Sequence, residues 1–310
     1  VGVANLGGPM RAQQRIDASF NLYDFTQDLE YVTQAGTPGE SKAQAAASNS
    51  VPGENPGTTN LVASLGYTHE DVAGSRISAK AYLQDYSTRF GFATFYPEGG
   101  GQSVLNAEKL GFRFDVSTPL ALTSGSTLLW GVDALRDETS QPLEDGRTYV
   151  PAITQLSAAP FAQVKVPFSE RIVLRGGARY EAFRLSVDDF TTLFPEVDTD
   201  GDGTADARNA VEGGTLTYDQ LVVNIGGVVT LANGFDLFGG FSQGFSVADV
   251  GRALRGTQAA SVEALRPEAQ TINNYELGFR GGTAVLNGSV AGFINTSDLG
   301  STFGDFPELD

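Results

Sequence analysis

Arg171-Ile172-Val173-Leu174-Arg175-Gly176-Gly177-Ala178-Arg179-Tyr180-Glu181-Ala182 reads as two interleaved sequences. Ile172, Leu174, Ala178, Tyr180 and Ala182 share one parity, while Arg171, Arg175, Arg179 and Glu181 share the other. Successive side chains of a β-strand point to opposite faces, so this pattern predicts a strand with one apolar and one charged face. The pattern recurs on both sides of this stretch. Leu110, Phe112, Phe114 and Val116 oppose Lys109, Arg113, Asp115 and Ser117, and Ile77, Ala79, Ala81 and Leu83 oppose Arg76, Ser78, Lys80 and Gln84. Ile16, Ala18, Phe20 and Leu22 alternate with Arg15, Asp17, Ser19 and Asn21. Further segments centre on 61–67, 128–134, 153–167, 216–231, 235–246, 271–281 and 285–297, which makes about eleven strands.

Alternation alone does not separate a soluble sandwich from a membrane barrel, because both have one apolar face. Length and connections separate them. Many segments hold register for about ten residues, enough for a tilted strand to cross a bilayer, whereas globular strands average about five or six. Short links at Asp71–Gly74, Pro119–Gly125, Phe168–Glu170, Ala232–Gly234 and Gly281–Ala284 interleave with long ones at 25–58, 87–105, 139–150, 187–215 and 247–270. Short turns at one end and long loops at the other are the rhythm of a transmembrane barrel. The predicted fold class is therefore all-β, an antiparallel transmembrane β-barrel in contact with outer-membrane lipid.

Composition narrows the function. The 310 residues carry 37 acidic and 20 basic side chains, a formal charge of -17, which excludes a nucleic-acid partner needing clustered Lys and Arg. The chain has no Cys and a single His, His69, read as a surface residue near a short turn, so thiolate chemistry and His-based catalytic triads are excluded and the protein is not expected to be an enzyme. No apolar run reaches the about 18 to 20 residues of a membrane helix. The chain begins at Val1, and 1–310 is read as an internal piece of a longer protein.

Asp198-Thr199-Asp200-Gly201-Asp202-Gly203-Thr204-Ala205-Asp206 places acidic oxygens at positions 1, 3, 5 and 9 of an oxygen-ligand loop, with Gly203 at the sharp turn. Asp198, Asp200, Asp202, Thr204 and Asp206 are the candidate ligands of a structural Ca²⁺. Position 12 is Asn209 where an EF-hand has Glu, which points to a weaker site with Glu212 as a substitute ligand. The competing reading is a solvated acidic turn, in which Asp and Gly serve local backbone geometry.

Phe238-Gly239-Gly240-Phe241-Ser242-Gln243-Gly244-Phe245-Ser246, followed by Ala248-Asp249-Val250-Gly251-Arg252 and Leu254-Arg255, resembles a strand and loop of TonB-dependent siderophore receptors. Leu265-Arg266-Pro267-Glu268 with Asn274-Tyr275-Glu276-Leu277-Gly278-Phe279-Arg280 resembles the next loop-to-strand stretch of that family. The resemblance implies a barrel of about 22 strands with a plugged lumen, of which this chain supplies a part. It also implies a plug domain and a box contacting TonB, neither recognisable here, and Asp310 does not end a closing strand.

What the resemblance implies for function is TonB-energised uptake of a ferric siderophore across a Gram-negative outer membrane. Anionic ferric siderophores need cationic and aromatic side chains at the outer vestibule. Arg252 and Arg255, in the loop after the family motif, are the first candidates, and Arg89, Phe95 and Tyr96 in another long loop the second. Arg171, Arg175, Arg179, Glu181 and Glu276 are expected to form a charged ladder on the lumen side, facing the plug. Phe245 shares parity with Phe241, which assigns it to the lipid side, and Trp130, Tyr67 and Tyr180 suit interfacial girdles. The alternatives are a passive porin-like channel and a soluble calcium-binding β-domain in adhesion or recognition.

Overall fold

A computed structural model of the chain describes residues 1–27, 53–232, 234–247, 249–265, 269–282 and 287–297. Most of the 25–58 loop, Ala248, Arg266-Pro267-Glu268, part of the Gly281–Ala284 link and the stretch ending at Asp310 lie outside the described residues.

The strands are β1 (Gly2–Arg11), β2 (Gln14–Thr26), β3 (Gly57–Val72), β4 (Ser75–Arg89), β5 (Val104–Pro119), β6 (Thr127–Pro142), β7 (Thr148–Pro167), β8 (Ile172–Val187), β9 (Phe190–Val197), β10 (Ala207–Val211), β11 (Gly214–Ala232), β12 (Phe235–Val247), β13 (Ala269–Gly282) and β14 (Asn287–Ser297). Twelve of them form one sheet in the order β1 to β8, then β11 to β14, and β9 pairs only with β10. Every strand of the large sheet pairs antiparallel with its neighbours, so the links alternate between the two ends. Short turns gather at one end. The two-residue turn between β3 and β4 places Ala73 at φ 52° and Gly74 at φ 82°, and the Asp71 carboxylate accepts the Gly74 N–H at 2.8 Å. Such positive φ angles suit the two-residue hairpins that match strand twist.

Each of the eleven predicted segments is a strand, and β1 makes twelve in the sheet. It was missed because Gly7-Gly8-Pro9 interrupts its alternation, and proline is tolerated there because β1 lies at a sheet edge. The long link at 139–150 contracts to residues 143–147, since β6 and β7 run on past the bilayer-length core of the pattern. The link at 187–215 holds the β9–β10 hairpin, and that at 247–270 holds two short helices, α1 (Val250–Arg255) and α2 (Val262–Leu265). No helix among the described residues is long and apolar enough to cross a membrane.

One face of the sheet is apolar and open. Leu65, Leu110, Ile225 and Leu277 are 58%, 60%, 65% and 63% exposed, and no second layer covers them among the described residues. The other face is polar and internally paired. Asp133 on β6 accepts from Arg113 at 2.6 Å and from Arg179 at 2.6 Å, Arg179 also bonds Glu181, and Lys109 meets Asp137 at 2.5 Å. The expected ladder thus includes Arg179 and Glu181, but its partners are Asp133 and Arg113 on neighbouring strands. Arg171, Arg175 and Glu276 carry no ion pair among the described residues.

At the loop end the polar face turns apolar and gains a small core. Leu185, Val187 and Leu216 from β8 and β11 pack with Val211, Val250, Leu254 and Val262, the last two fully buried. Asp249 caps α1 by accepting the Arg252 N–H at 3.0 Å, which satisfies one donor of the first turn. Phe245 belongs to this side. It stacks on Phe183 at 5.3 Å and lines a recess with Asp137 and Arg252, so the lipid-side assignment made from its parity is corrected. β12 leaves its β11 partner after Ser242, and the strand beyond that point follows the loop core.

Because α1 is attached to the sheet chiefly through Val250 and Leu254, Leu254→Ala is expected to destabilise the loop-end core by about 2–5 kcal/mol. Hydrogen exchange should then quicken in α1, β9 and β10 while the ladder from β2 to β6 keeps its protection.

Candidate functional site

Long loops converge at the end where the polar face carries its small core. A recess of about 670 Å³ opens there between β6, β7, β8 and the β12–α1 segment. Its walls combine Phe183 and Phe245 with Asp137, Gln155, Arg252 and Arg255, a mixture that holds an aromatic or chelating ligand by contact and by charge. α1 delivers both arginines: they lie in its last turn, three residues apart in sequence, and so project from neighbouring positions on one helix face.

Arg255 does not stand alone. Its guanidinium lies over the Tyr149 ring at 4.9 Å, and Nη1 donates to the Tyr149 hydroxyl at 2.7 Å. Tyr149 in turn packs edge-on against Tyr96 and Phe194, with centroids 5.1 and 6.4 Å away. Phe95 lies 4.1 Å from Tyr96 and stacks on Phe194 at 6.3 Å. Three of the five predicted ligand residues, Arg255, Phe95 and Tyr96, therefore meet in one aromatic cluster, and Arg252 lines the adjoining recess. Within that cluster the roles divide. Phe95 is 59% exposed and Tyr96 only 5% exposed, so Phe95 offers the contact surface while Tyr96 is the support behind it. The Tyr96 hydroxyl donates to Ser103 Oγ at 3.0 Å, and burial pushes its phenol above the usual tyrosine range, which keeps it neutral. Arg89 is elsewhere: it pairs with Glu144 at 2.5 Å at the rim.

The loops that present this surface are stapled together. Gln102 binds the Glu54 N–H and carbonyl and the Phe90 carbonyl. Arg147 donates to the carbonyls of Pro97 and Gly100 at 2.6 and 2.7 Å and to Asp145, whose carboxyl it holds below the usual range. Glu98 meets Arg208 of β10 at 2.5 Å. Sequence reasoning missed Tyr149, Phe194 and Arg147. Only aromatic enrichment at loop margins signalled the first two.

The acidic loop sits at the tip of the β9–β10 hairpin. Carboxylate oxygens of Asp198, Asp200 and Asp206 lie within 4.8 Å of one another. Asp202 and Thr204 are not in that group, and Asp202 Oδ1 accepts the Thr204 N–H at 2.8 Å. Asp198 accepts from the N–H groups of Gly203 and Gly201, which hold its carboxyl below the usual Asp range. Asn209 is drawn away from the loop, buried, and donates to the Thr257 and Ala259 carbonyls at 3.0 and 2.8 Å. An EF-hand arrangement using position 12 is thereby ruled out.

The chain matches the TonB dependent receptor-like, beta-barrel family over residues 4–305. It is 24% identical to the rhizobactin receptor of Rhizobium meliloti (strain 1021) over 338 residues, covering 96% of this chain and 44% of that receptor. To the ferric aerobactin receptor of Klebsiella pneumoniae it is 25% identical over 286 residues, covering 78% of this chain and 38% of that receptor. The chain thus spans less than half the length of these relatives. Its fold is similar to that of the Serratia marcescens hemophore receptor HasR, solved with its hemophore and heme, at TM-score 0.67 and 16% identity over 96% of this chain and 45% of that one. This family is one of receptors, not enzymes. The family match covers nearly the whole chain and agrees with its antiparallel all-β sheet, and the chain belongs to the TonB-dependent receptor β-barrel family.

Proposed function

We propose that this chain forms part of the barrel wall of a Gram-negative outer-membrane receptor that takes up a ferric siderophore with energy delivered through TonB. The observation that carries this reading is the recess bearing Arg252 and Arg255 beside the Tyr149–Phe95–Phe194 aromatics, on the polar face and under the loops. An anionic iron chelate offers carboxylates or phenolates to guanidinium groups and flat surfaces to aromatic rings. The two curated relatives are receptors named for rhizobactin and ferric aerobactin, which supports iron chelates as the ligand class. The plug and the TonB contact belong to the whole protein in this reading, with the apolar face against lipid.

Replacing Arg252 and Arg255 together by Ala removes charge-assisted bonds of about 1.5–3 kcal/mol each, so ligand affinity should fall by about a hundredfold or more. Iron-limited uptake by a strain carrying the complete gene, comparing several ferric siderophores with cobalamin, is the direct measurement. Uptake that persists without TonB would point to a passive channel instead.

The lipid assignment has its own test. Ile225→Arg on the apolar face should cost about 2–4 kcal/mol and lower the yield of assembled barrel in the membrane, whereas Asn224→Arg on the polar face should be tolerated. Equal yields would reject the bilayer as the neighbour of that face.

We further propose that Asp198, Asp200 and Asp206 hold a Ca²⁺ that orders the β9–β10 tip, their carboxylate proximity being the support. Dissociation constants of about 10⁻⁴–10⁻³ M are expected for such an extracellular loop. Calcium should slow proteolysis of the tip, and Asp200→Asn should abolish that protection. Because the Asp198 carboxyl is depressed, its bonds to Gly201 and Gly203 persist above the ordinary Asp value and are lost only as pH falls below it. Loosening of the tip at neutral pH without calcium would therefore trace to the missing ion and not to Asp198 protonation.

A further inference from the structure

On the polar face, charge is balanced along the middle of the strands and unbalanced near the short turns. Lys109, Arg113 and Arg179 are each paired with a carboxylate. Further down the same face, Lys165 of β7 lies directly opposite Arg175 of β8 in the register. Arg175 has the parity of Arg179 and Glu181, so both cations stand on the polar side. Neither makes an ion pair among the described residues, and Arg175 is exposed. Like charges directly opposite one another destabilise a sheet, and an anion placed between them relieves the repulsion.

The surroundings supply no such anion and leave room for one. The same-face neighbours of the pair, across the ladder and two places along each strand, are Thr127, Gly226, Gln163, Pro167, Val173 and Gly177, none of them acidic. Beyond Arg175 the row continues through Gly226 and Gly240 before it reaches Glu276. Three strand spacings separate Arg175 from that carboxylate, about 14 Å, and the two glycines between them raise no side chain. One row toward the loops, Gln163 Nε2 donates to Asn224 Oδ1 at 3.4 Å across Gly177. The pair thus has an open glycine floor on one side and amides above it. Phe183, in the wall of the recess, is eight residues away along β8, about 26 Å, so the two places are separate.

Resting on the uptake of an anionic iron chelate proposed above, we propose that Lys165 and Arg175 form a second anion site, which takes a carboxylate of the chelate on its way from the recess to the short-turn end. The paired network of Asp133, Arg113, Arg179 and Glu181 lies between the two sites and offers the chelate no unneutralised cation. Below it, Lys165 and Arg175 do. Their exposure to water makes the attraction modest, which suits a transit site, because a ligand must be held strongly enough to enter and weakly enough to leave.

The test uses the complete receptor in cells, with ferric aerobactin and ferric rhizobactin carrying radioactive iron as probes. Binding to cells whose proton gradient is collapsed reads the recess, and uptake by energised cells reads the whole passage. Lys165→Gln together with Arg175→Gln should leave binding affinity within about twofold and slow uptake by about tenfold, the factor one charge-assisted contact provides. Lys165→Arg, which keeps the charge, should retain the rate that Lys165→Gln loses. Heat-dependent gel mobility checks that each variant is folded. In the purified receptor, millimolar citrate, a small tricarboxylate, should protect Lys165 from acetylation, read by mass spectrometry of the digested chain. Unchanged uptake in the folded double variant overturns the proposal, as does an equal loss of binding and uptake. A Lys165 that resists acetylation with or without citrate overturns it too, because an acid of the receptor itself then holds the pair. An unmodified receptor that takes up neither chelate overturns the iron-chelate reading and this site with it, whereas uptake indifferent to Lys165 and Arg175 overturns the second site alone.

Discussion

An antiparallel ladder satisfies each strand's backbone N–H and C=O groups sideways, and in doing so it leaves the side chains only two faces to occupy. Everything else in this chain depends on that constraint. Because the register runs without a slip along most of β2 to β8, side chains of one parity remain on one face from strand to strand. A slip of one residue would carry charged residues such as Arg113 and Asp133 onto the apolar face and Phe114 and Val132 onto the polar one. The Arg113–Asp133–Arg179–Glu181 network lies across three strands and ties that register from the polar side.

The same constraint explains why the site is at the loop end. Along the middle of the strands the polar face is consumed by cross-strand pairing. Toward the loops, Phe183, Leu185 and Leu216 replace charges on that face, and α1 packs there through Val250 and Leu254. The helix is too short to be stable alone, so its arginines are placed by its burial and not by its own propensity. Arg252 and Arg255 reach the recess because Leu254, between them in sequence, is anchored in the core.

Where local period dominated, the sequence was legible. β2 to β8 and β11 to β14 show it, as do the short turns, since a two-residue period and Gly-marked links are local properties. β1 escaped notice because Gly7, Gly8 and Pro9 carry no face preference. The β9–β10 hairpin escaped because Phe190-Thr191-Thr192-Leu193-Phe194 does not alternate cleanly: Thr192 and Leu193, adjacent in sequence, are both buried in the loop assembly. Phe245 shows where period fails: its parity agrees with Phe241, yet departure of the strand from β11 turns it to the other side.

Of the candidate site, residue types were readable and company was not. Arginines and aromatics in long loops announced themselves, but Arg255 finds Tyr149 across 106 residues of chain, and Arg147 finds Pro97 across 50. By spacing Asn209 stands at position 12 of the acidic loop, where an EF-hand has Glu, but only the structure shows its side chain drawn away to the Thr257 and Ala259 carbonyls. The sequence by itself determined the strands, their two faces and the alternation of short and long links, because each follows from backbone geometry over a few residues. Only the tertiary structure decided which loop residues meet, which are buried supports and which remain exposed to a ligand, because those outcomes depend on contacts between segments that no local period encodes.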